Sequence, residues 1–170
     1  MNKKFELLLD DTITIFGIKL FRIKALISFG NVEEGEIGGY VEKEDNLSSS
    51  GDAWVYGNAW VYGDARVYGD ARVYGNARVY GNARVYGNAR VYGNAWVYGN
   101  ADYIVFKNHW SSGRYFTYTK SNKMWRVGCF YGTGQELINK AYQDSEISGK
   151  HYEAYVEFVE KLEKLEETND

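Results

Sequence analysis

Glycine returns every sixth residue from Gly51 to Gly99 without a slip in register, and that period fixes what the chain can become. The units between Gly51 and Ile104 mostly read Gly-Asp/Asn-Ala-Arg/Trp-Val-Tyr. Self-similarity at so short a period dictates architecture before any local propensity does. A helix with Gly in every unit would be weak, and six residues do not match its 3.6-residue turn. A strand alternates its faces, so Ala and Val share one side while Arg or Trp and Tyr share the other. Gly followed by Asp or Asn supplies the bend, because both tolerate left-handed backbone angles. Short strand, corner, short strand, repeated, is a parallel β-helix.

The flanks read differently. Asp45-Asn46-Leu47-Ser48-Ser49-Ser50 is a half-degenerate unit with Leu47 in the Ala slot, and predicts an N-terminal capping coil. Thr12–Phe16 and Leu20–Ile27 predict a hairpin around Gly17. Asp102-Tyr103-Ile104 puts Tyr103 in the small Val slot, which ends the array. Tyr103–Lys107, Tyr115–Thr119 and Met124–Tyr131 then predict three strands. Thr133 with Glu136 fits a capping box that opens a helix through Tyr142. A second helix from about Ser148 carries Tyr152, Tyr155, Val159 and Leu162 at three- and four-residue spacing. The expected divisions are 1–44, an N-terminal β cap; 45–104, the β-helix; and 105–170, a C-terminal β-β-β-α-α module.

The repeats resemble the hexapeptide-repeat, left-handed β-helix family, in which three hexads complete one triangular coil. The resemblance implies that residues eighteen apart stack, so nine hexads make about three coils and a rod of roughly 14 Å. The whole chain is similar to a group of small uncharacterised phage, prophage and bacterial proteins, often labelled hexapeptide-repeat or polymer-forming. That likeness rests on Phe21-Arg22-Ile23-Lys24-Ala25-Leu26, Gly35-Glu36-Ile37-Gly38-Gly39-Tyr40-Val41-Glu42 and Asn46-Leu47-Ser48. It continues in Ala53-Trp54-Val55-Tyr56 and Trp125-Arg126-Val127-Gly128-Cys129-Phe130-Tyr131-Gly132. The group implies a phage or prophage setting, with action against host defence as one role.

Stacking at eighteen residues defines the outward columns. It aligns Trp54, Arg72 and Arg90; Trp60, Arg78 and Trp96; and Arg66, Arg84 and Asp102. Tyr56, Tyr74 and Tyr92 align likewise, as do Tyr62, Tyr80 and Tyr98, and Tyr68 with Tyr86. Ladders of this kind stabilise a short rod. They also leave Arg66–Arg84 and Arg72–Arg90 about 5 Å apart, a repulsion of about 1 kcal/mol even in water. A docked anion or an indole face relieves it, and Tyr, Trp and Arg are the residues enriched at binding hot spots. Arg66, Arg72, Arg78, Arg84, Arg90, Trp54, Trp60, Trp96, Tyr74 and Tyr80 therefore form the expected partner-binding face.

Charge sharpens the expectation. Residues 103–132 carry five cations and no acid, whereas 133–170 carry ten acids against four lysines. Arg114, Lys120, Lys123 and Arg126 interleave with Trp110, Tyr115, Phe116, Tyr118 and Trp125, as stacking platforms for single-stranded nucleic acid do. With the amides near Thr133 and Gly134, residues Arg114, Lys120 and Arg126 make a second, anion-binding candidate. An amphipathic sheet packed on the second helix uses the same residues.

Catalysis has little to rest on. Hexapeptide-repeat acyltransferases use a histidine base, but 51–102 contains none, and only His109 and His151 exist. Two histidines exclude a β-helical carbonic anhydrase with its three metal histidines, and no Cys/His/Asp cluster has zinc spacing. Antifreeze faces use small threonine-like rows, which Tyr and Arg do not match. The lone Cys129 excludes an intramolecular disulfide, and no signal-peptide or membrane-spanning pattern is visible. The expectation is a non-catalytic, cofactor-free, metal-free cytoplasmic binding protein, a dimer or trimer, that engages a host protein, nucleic acid or nucleotide. A hexapeptide-repeat acyltransferase and a self-assembling structural subunit are the rival readings.

Overall fold

A computed structural model describes residues 3–168. Its centre is a parallel β-solenoid of about three turns, built from two-residue strands β4 to β11, which start at Trp54, Trp60, Arg66, Arg72, Arg78, Arg84, Arg90 and Trp96. Three strands close each turn, and the ladders run β4-β7-β10, β5-β8-β11 and β6-β9, with partners eighteen residues apart. Every Ala and Val of these units is at most 1% exposed. Glycines 51 to 93 hold φ between +59° and +74°, the left-handed corner that lets the chain turn after each strand. Gly99 instead has φ −152°, and there the coil stops.

The N-terminal cap has three strands, one more than the sequence predicts: β1 (Phe5–Ile15), β2 (Ile18–Ala25) and β3 (Ile37–Val41). The strand β3 pairs in parallel with β5, Tyr40 opposite Trp60, so the cap's last strand is also the solenoid's first rung. Gly38 and Gly39 make that rung fit: a Cβ at either would lie 2.5 Å from Val55 O or 2.7 Å from Ala59 O. Leu47 bridges Val67, twenty residues on, and so fills the Val column in place of the predicted Ala slot.

Backbone polarity explains both ends. In each unit the amides of the Asp/Asn, Arg/Trp and Tyr positions point toward the C-terminal end, as in Asn58 N to Gly75 O, Trp60 N to Ala77 O and Tyr62 N to Val79 O. The first turn therefore exposes carbonyls, and the cap supplies donors. Lys4 Nζ donates to Ala53 O at 2.6 Å and Ser48 O at 3.1 Å, and Arg22 Nη1 to Gly38 O and Gly57 O. Asn46 Nδ2 donates to Gly63 O and Ala65 O while its Oδ1 accepts from the Glu42 and Lys43 amides. The last turn exposes amides, and acceptors meet them: Asn100 Oδ1 for Arg84, Thr117 Oγ1 for Arg90, Ser121 Oγ for Trp96, and Asp102 Oδ2 for Tyr98 and Gly99. The named backbone groups at both open ends are thereby satisfied.

Asp102 consequently lies in a short 3-10 turn and does not continue the Arg66–Arg84 column. Tyr103, expected in a Val slot, begins β12 (Tyr103–Lys107) and donates its hydroxyl to Arg84 O. The C-terminal sheet has four strands in place of three: β12, β13 (Tyr115–Thr119), β14 (Met124–Val127) and β15 (Phe130–Gly132). The predicted third strand divides at Gly128, where φ is +54°. Helix α1 (Gly134–Asp144) opens with the expected Thr133–Glu136 capping box, and α2 (Glu146–Thr168) follows. No helix among the described residues is long and apolar enough to cross a membrane.

Candidate functional site: the flanks of the solenoid

The narrow Ala/Val bore forces every bulky side chain of the repeat outward, and the three flanks that result are unequal. On the β5-β8-β11 flank, Arg78 lies over the Trp60 ring at 4.1 Å and under Trp96 at 5.7 Å. Arg22 over Tyr40, at 4.2 Å, extends this ladder one rung into the cap. Asn58, Asn76 and Asn94 run beside it and share with it a shallow groove of about 370 Å³. The rings of Tyr62, Tyr80 and Tyr98 stack at 5.2 and 5.8 Å, and burial, then the neighbouring Tyr80, pushes the Tyr62 phenol above its usual range.

The β4-β7-β10 flank is closed at both ends. Trp54, expected to face a partner, is 0% exposed: Phe5 and Phe29 pack edge-on against it at 6.3 and 5.3 Å. It belongs to the cap's core and leaves the candidate surface. Arg72 is half-buried and donates to Tyr74 Oη at 3.4 Å. With its amide oriented to suit, Asn31 accepts from both Arg72 terminal nitrogens at 3.2 and 3.0 Å. Tyr56, Tyr74 and Tyr92 stack at 4.3 and 4.2 Å, and Arg126 covers Tyr92 at 4.3 Å. Burial, reinforced by Tyr74, pushes the Tyr56 phenol up to about 12. Arg90 is half-buried beside Thr117.

The β6-β9 flank is the open one. Arg66 and Arg84 pair in register and are both exposed, and Tyr68 stacks on Tyr86 at 5.1 Å. At their foot lies a concavity of about 600 Å³, walled by the cap through Lys3, Lys4, Glu44, Asp45, Ser48 and Ser49. Burial lowers the Lys4 ammonium to about 8, against a smaller opposing pull from Asp52.

Among the described residues, none of Arg66, Arg72, Arg78, Arg84 and Arg90 forms an ion pair. The cations that do are in the caps, among them Lys3 with Glu44, Arg22 with Asp11, Lys43 with Asp64 and Lys120 with Glu166.

The second candidate does not converge. Phe116, Tyr118 and Trp125 are buried against α1 and α2, Lys120 pairs with Glu166, and Tyr118 donates to Glu163. Arg126 turns toward the solenoid, and Arg114 sits by the β14–β15 hairpin. Thr133 and Gly134 line a hollow with Lys123, but Glu160, Glu163 and Glu167 line it too. Glu136 already accepts from the Thr133 amide at the helix start. His109 is exposed in the turn before Gly113, and His151 Nδ1 faces Ile147 O within α2. No group of three His, Cys, Asp or Glu able to hold a metal occurs among the described residues.

The sequence reading missed three groups: the asparagine row beside Trp60–Arg78–Trp96, Lys4 beneath the open flank, and Asn46 as a cap. The first was within reach, since Asn58, Asn76 and Asn94 keep the same eighteen-residue spacing. The other two carry no local signal.

No curated protein matches the chain. The YdcK β-solenoid repeat matches in overlapping windows, 59–75, 65–81, 71–85, 77–89 and 83–99, whose starts advance by six residues. Over 59–99 the chain is thus similar to that repeat, in the register the glycines set.

Proposed function

We propose that the protein is a non-catalytic binding module whose solenoid presents arginines and stacked aromatics to an anionic partner. The observation that carries this reading is that, among the described residues, no repeat arginine is in an ion pair, whereas Lys3, Arg22, Lys43 and Lys120 in the caps are. The solenoid backbone fixes the spacing of these cations, and an anion converts their mutual repulsion into attraction. Trp60, Arg78 and Trp96 supply ring faces and a guanidinium in one groove, which suits an acidic protein segment or a nucleic acid. The resemblance of the cap motifs to phage and prophage proteins supports a bacterial host cytoplasm as the setting, with inhibition of a host defence as the role. A homo-oligomer is part of the same proposal.

The test is capture from bacterial lysate, with and without nuclease, by the native protein and by a variant with Arg66, Arg78 and Arg84 changed to Ser. Species retained by the native protein, released by salt and lost in the variant at unchanged circular dichroism, carry the reading. Equal recovery by both proteins removes it.

A further inference from the structure

The two exposed arginines of the open flank stand over the 600 Å³ concavity, and their surroundings differ from those of the other repeat arginines. Arg78 has two indole faces, Arg72 has Tyr74 and Asn31, and Arg90 is half-buried. Among the described residues no side-chain hydrogen bond, ion pair or ring contact engages the guanidinium of Arg66 or Arg84. In-register pairing nevertheless holds the two at strand spacing, about 4.8 Å apart along the rod.

We infer that this concavity is a binding site for a small molecule carrying two linked phosphoryl groups. The inference rests on the anion-binding reading above and gives one flank of it a ligand chemistry.

Charge comes first. Four cations line the concavity, Lys3, Lys4, Arg66 and Arg84, against two carboxylates, Glu44 and Asp45. Glu44 is already engaged by Lys3 at 2.6 Å. Lys4, 2% exposed, is tied through its ammonium to the Ser48 and Ala53 carbonyls, which fixes one positive charge behind the Ser48 side of the cavity. Burial lowers its proton affinity, against a smaller pull from Asp52.

Geometry comes second. A guanidinium offers a planar fork to paired oxyanion oxygens, and two forks stacked one rung apart match two linked phosphoryl groups better than one. The size of the concavity suits a nucleotide-sized ligand, not a flat macromolecular face. Tyr68 lines it, stacked on Tyr86 at 5.1 Å, so an aromatic side chain borders the diphosphate site where a base would lie.

Titration calorimetry at low ionic strength tests the site, with inorganic pyrophosphate, orthophosphate and ADP as probes. Pyrophosphate should bind the native protein, and its affinity should fall at least about tenfold in Arg66→Gln and in Arg84→Gln, each losing a charge-assisted contact. Lys161→Gln, an exposed cation on α2 outside the concavity, should bind as the native protein does. ADP equal to or tighter than pyrophosphate supports the site, the latter adding contact with the tyrosine. Orthophosphate as tight as pyrophosphate overturns the two-phosphoryl assignment. Absence of binding, or unchanged affinity in both open-flank variants, overturns the site. If lysate capture through Arg78 persists in that case, the broader binding reading stands without this pocket.

Discussion

The solenoid and the C-terminal sheet are written in the same vocabulary, aromatics alternating with arginine and lysine, yet they use it in opposite senses. In the solenoid the inner positions accept only Ala and Val, so Trp60, Trp96 and the tyrosine columns stand outside. In the C-terminal sheet one face has helices to pack on, so Phe116, Tyr118 and Trp125 turn inward and join Leu137, Tyr152, Val156 and Val159. The opposite face of β13 is occupied as well, since Thr117 reaches across to the last turn of the solenoid. Cations follow suit: Lys120 pairs with Glu166, whereas Arg84 has no ion-pair partner among the described residues. Interleaved aromatics and cations mark a surface only where no second layer covers them. The volume of the facing layer decides, not the composition of the strand.

Truncating tryptophans probes that contrast most strongly. Trp125→Ala and Trp54→Ala should each destabilise by about 3–5 kcal/mol, the range for emptying a large buried site. Trp96→Ala should stay within about 0.5 kcal/mol, as exposed substitutions do. Urea denaturation of the three variants decides, and a Trp96 penalty equal to that of Trp125 would erase the distinction. Next in size is Asn46→Ala, which strips two carbonyls and the Lys43 amide of a partner, Glu42's amide keeping Val61 O, and should cost about 3 kcal/mol.

The shallowest effect is in the alkaline range. Lys4 titrates at about 8 in the fold and near 10.5 when unfolded, so the unfolded chain holds more protons between those values. Stability should therefore rise with pH across that window. Tyr56 and Tyr103 run the other way: burial raises both to about 12, and their stabilisation is lost as pH climbs above 10 through 12. Thermal melts should show a maximum near pH 10, and Lys4→Met should abolish the rising limb alone.

Much of this was legible in the sequence because the repeat is short and its inner residues are small. Gly, Ala and Val at fixed offsets leave one way to fill the bore, and the columns follow. Trp54 was not legible. Its hexad, Gly-Asp-Ala-Trp-Val-Tyr, reads almost as the Trp96 unit does, and the residues that bury it, Phe5 and Phe29, come from distant cap segments. The rung β3 escaped because Gly38-Gly39 has no strand propensity; its glycines answer to backbone approach from the first turn. The capping box of α1 was readable, being local. The fate of Lys120 and Arg126 was not, since Glu166 of α2 takes the first from forty-six residues away and Tyr92 of the solenoid takes the second from thirty-four.

The donors gathered at the foot of the rod and the acceptors at its head have a consequence for how such a chain can lengthen. Neither terminus senses how many turns separate it from the other. Duplicating eighteen residues between Gly57 and Gly93 would add one storey of about 4.8 Å and leave both caps' chemistry intact. A six-residue duplication would instead swing one end about a third of a revolution against the other. Reach and azimuth are thus separately adjustable by copying a few codons, with the caps carried along unchanged.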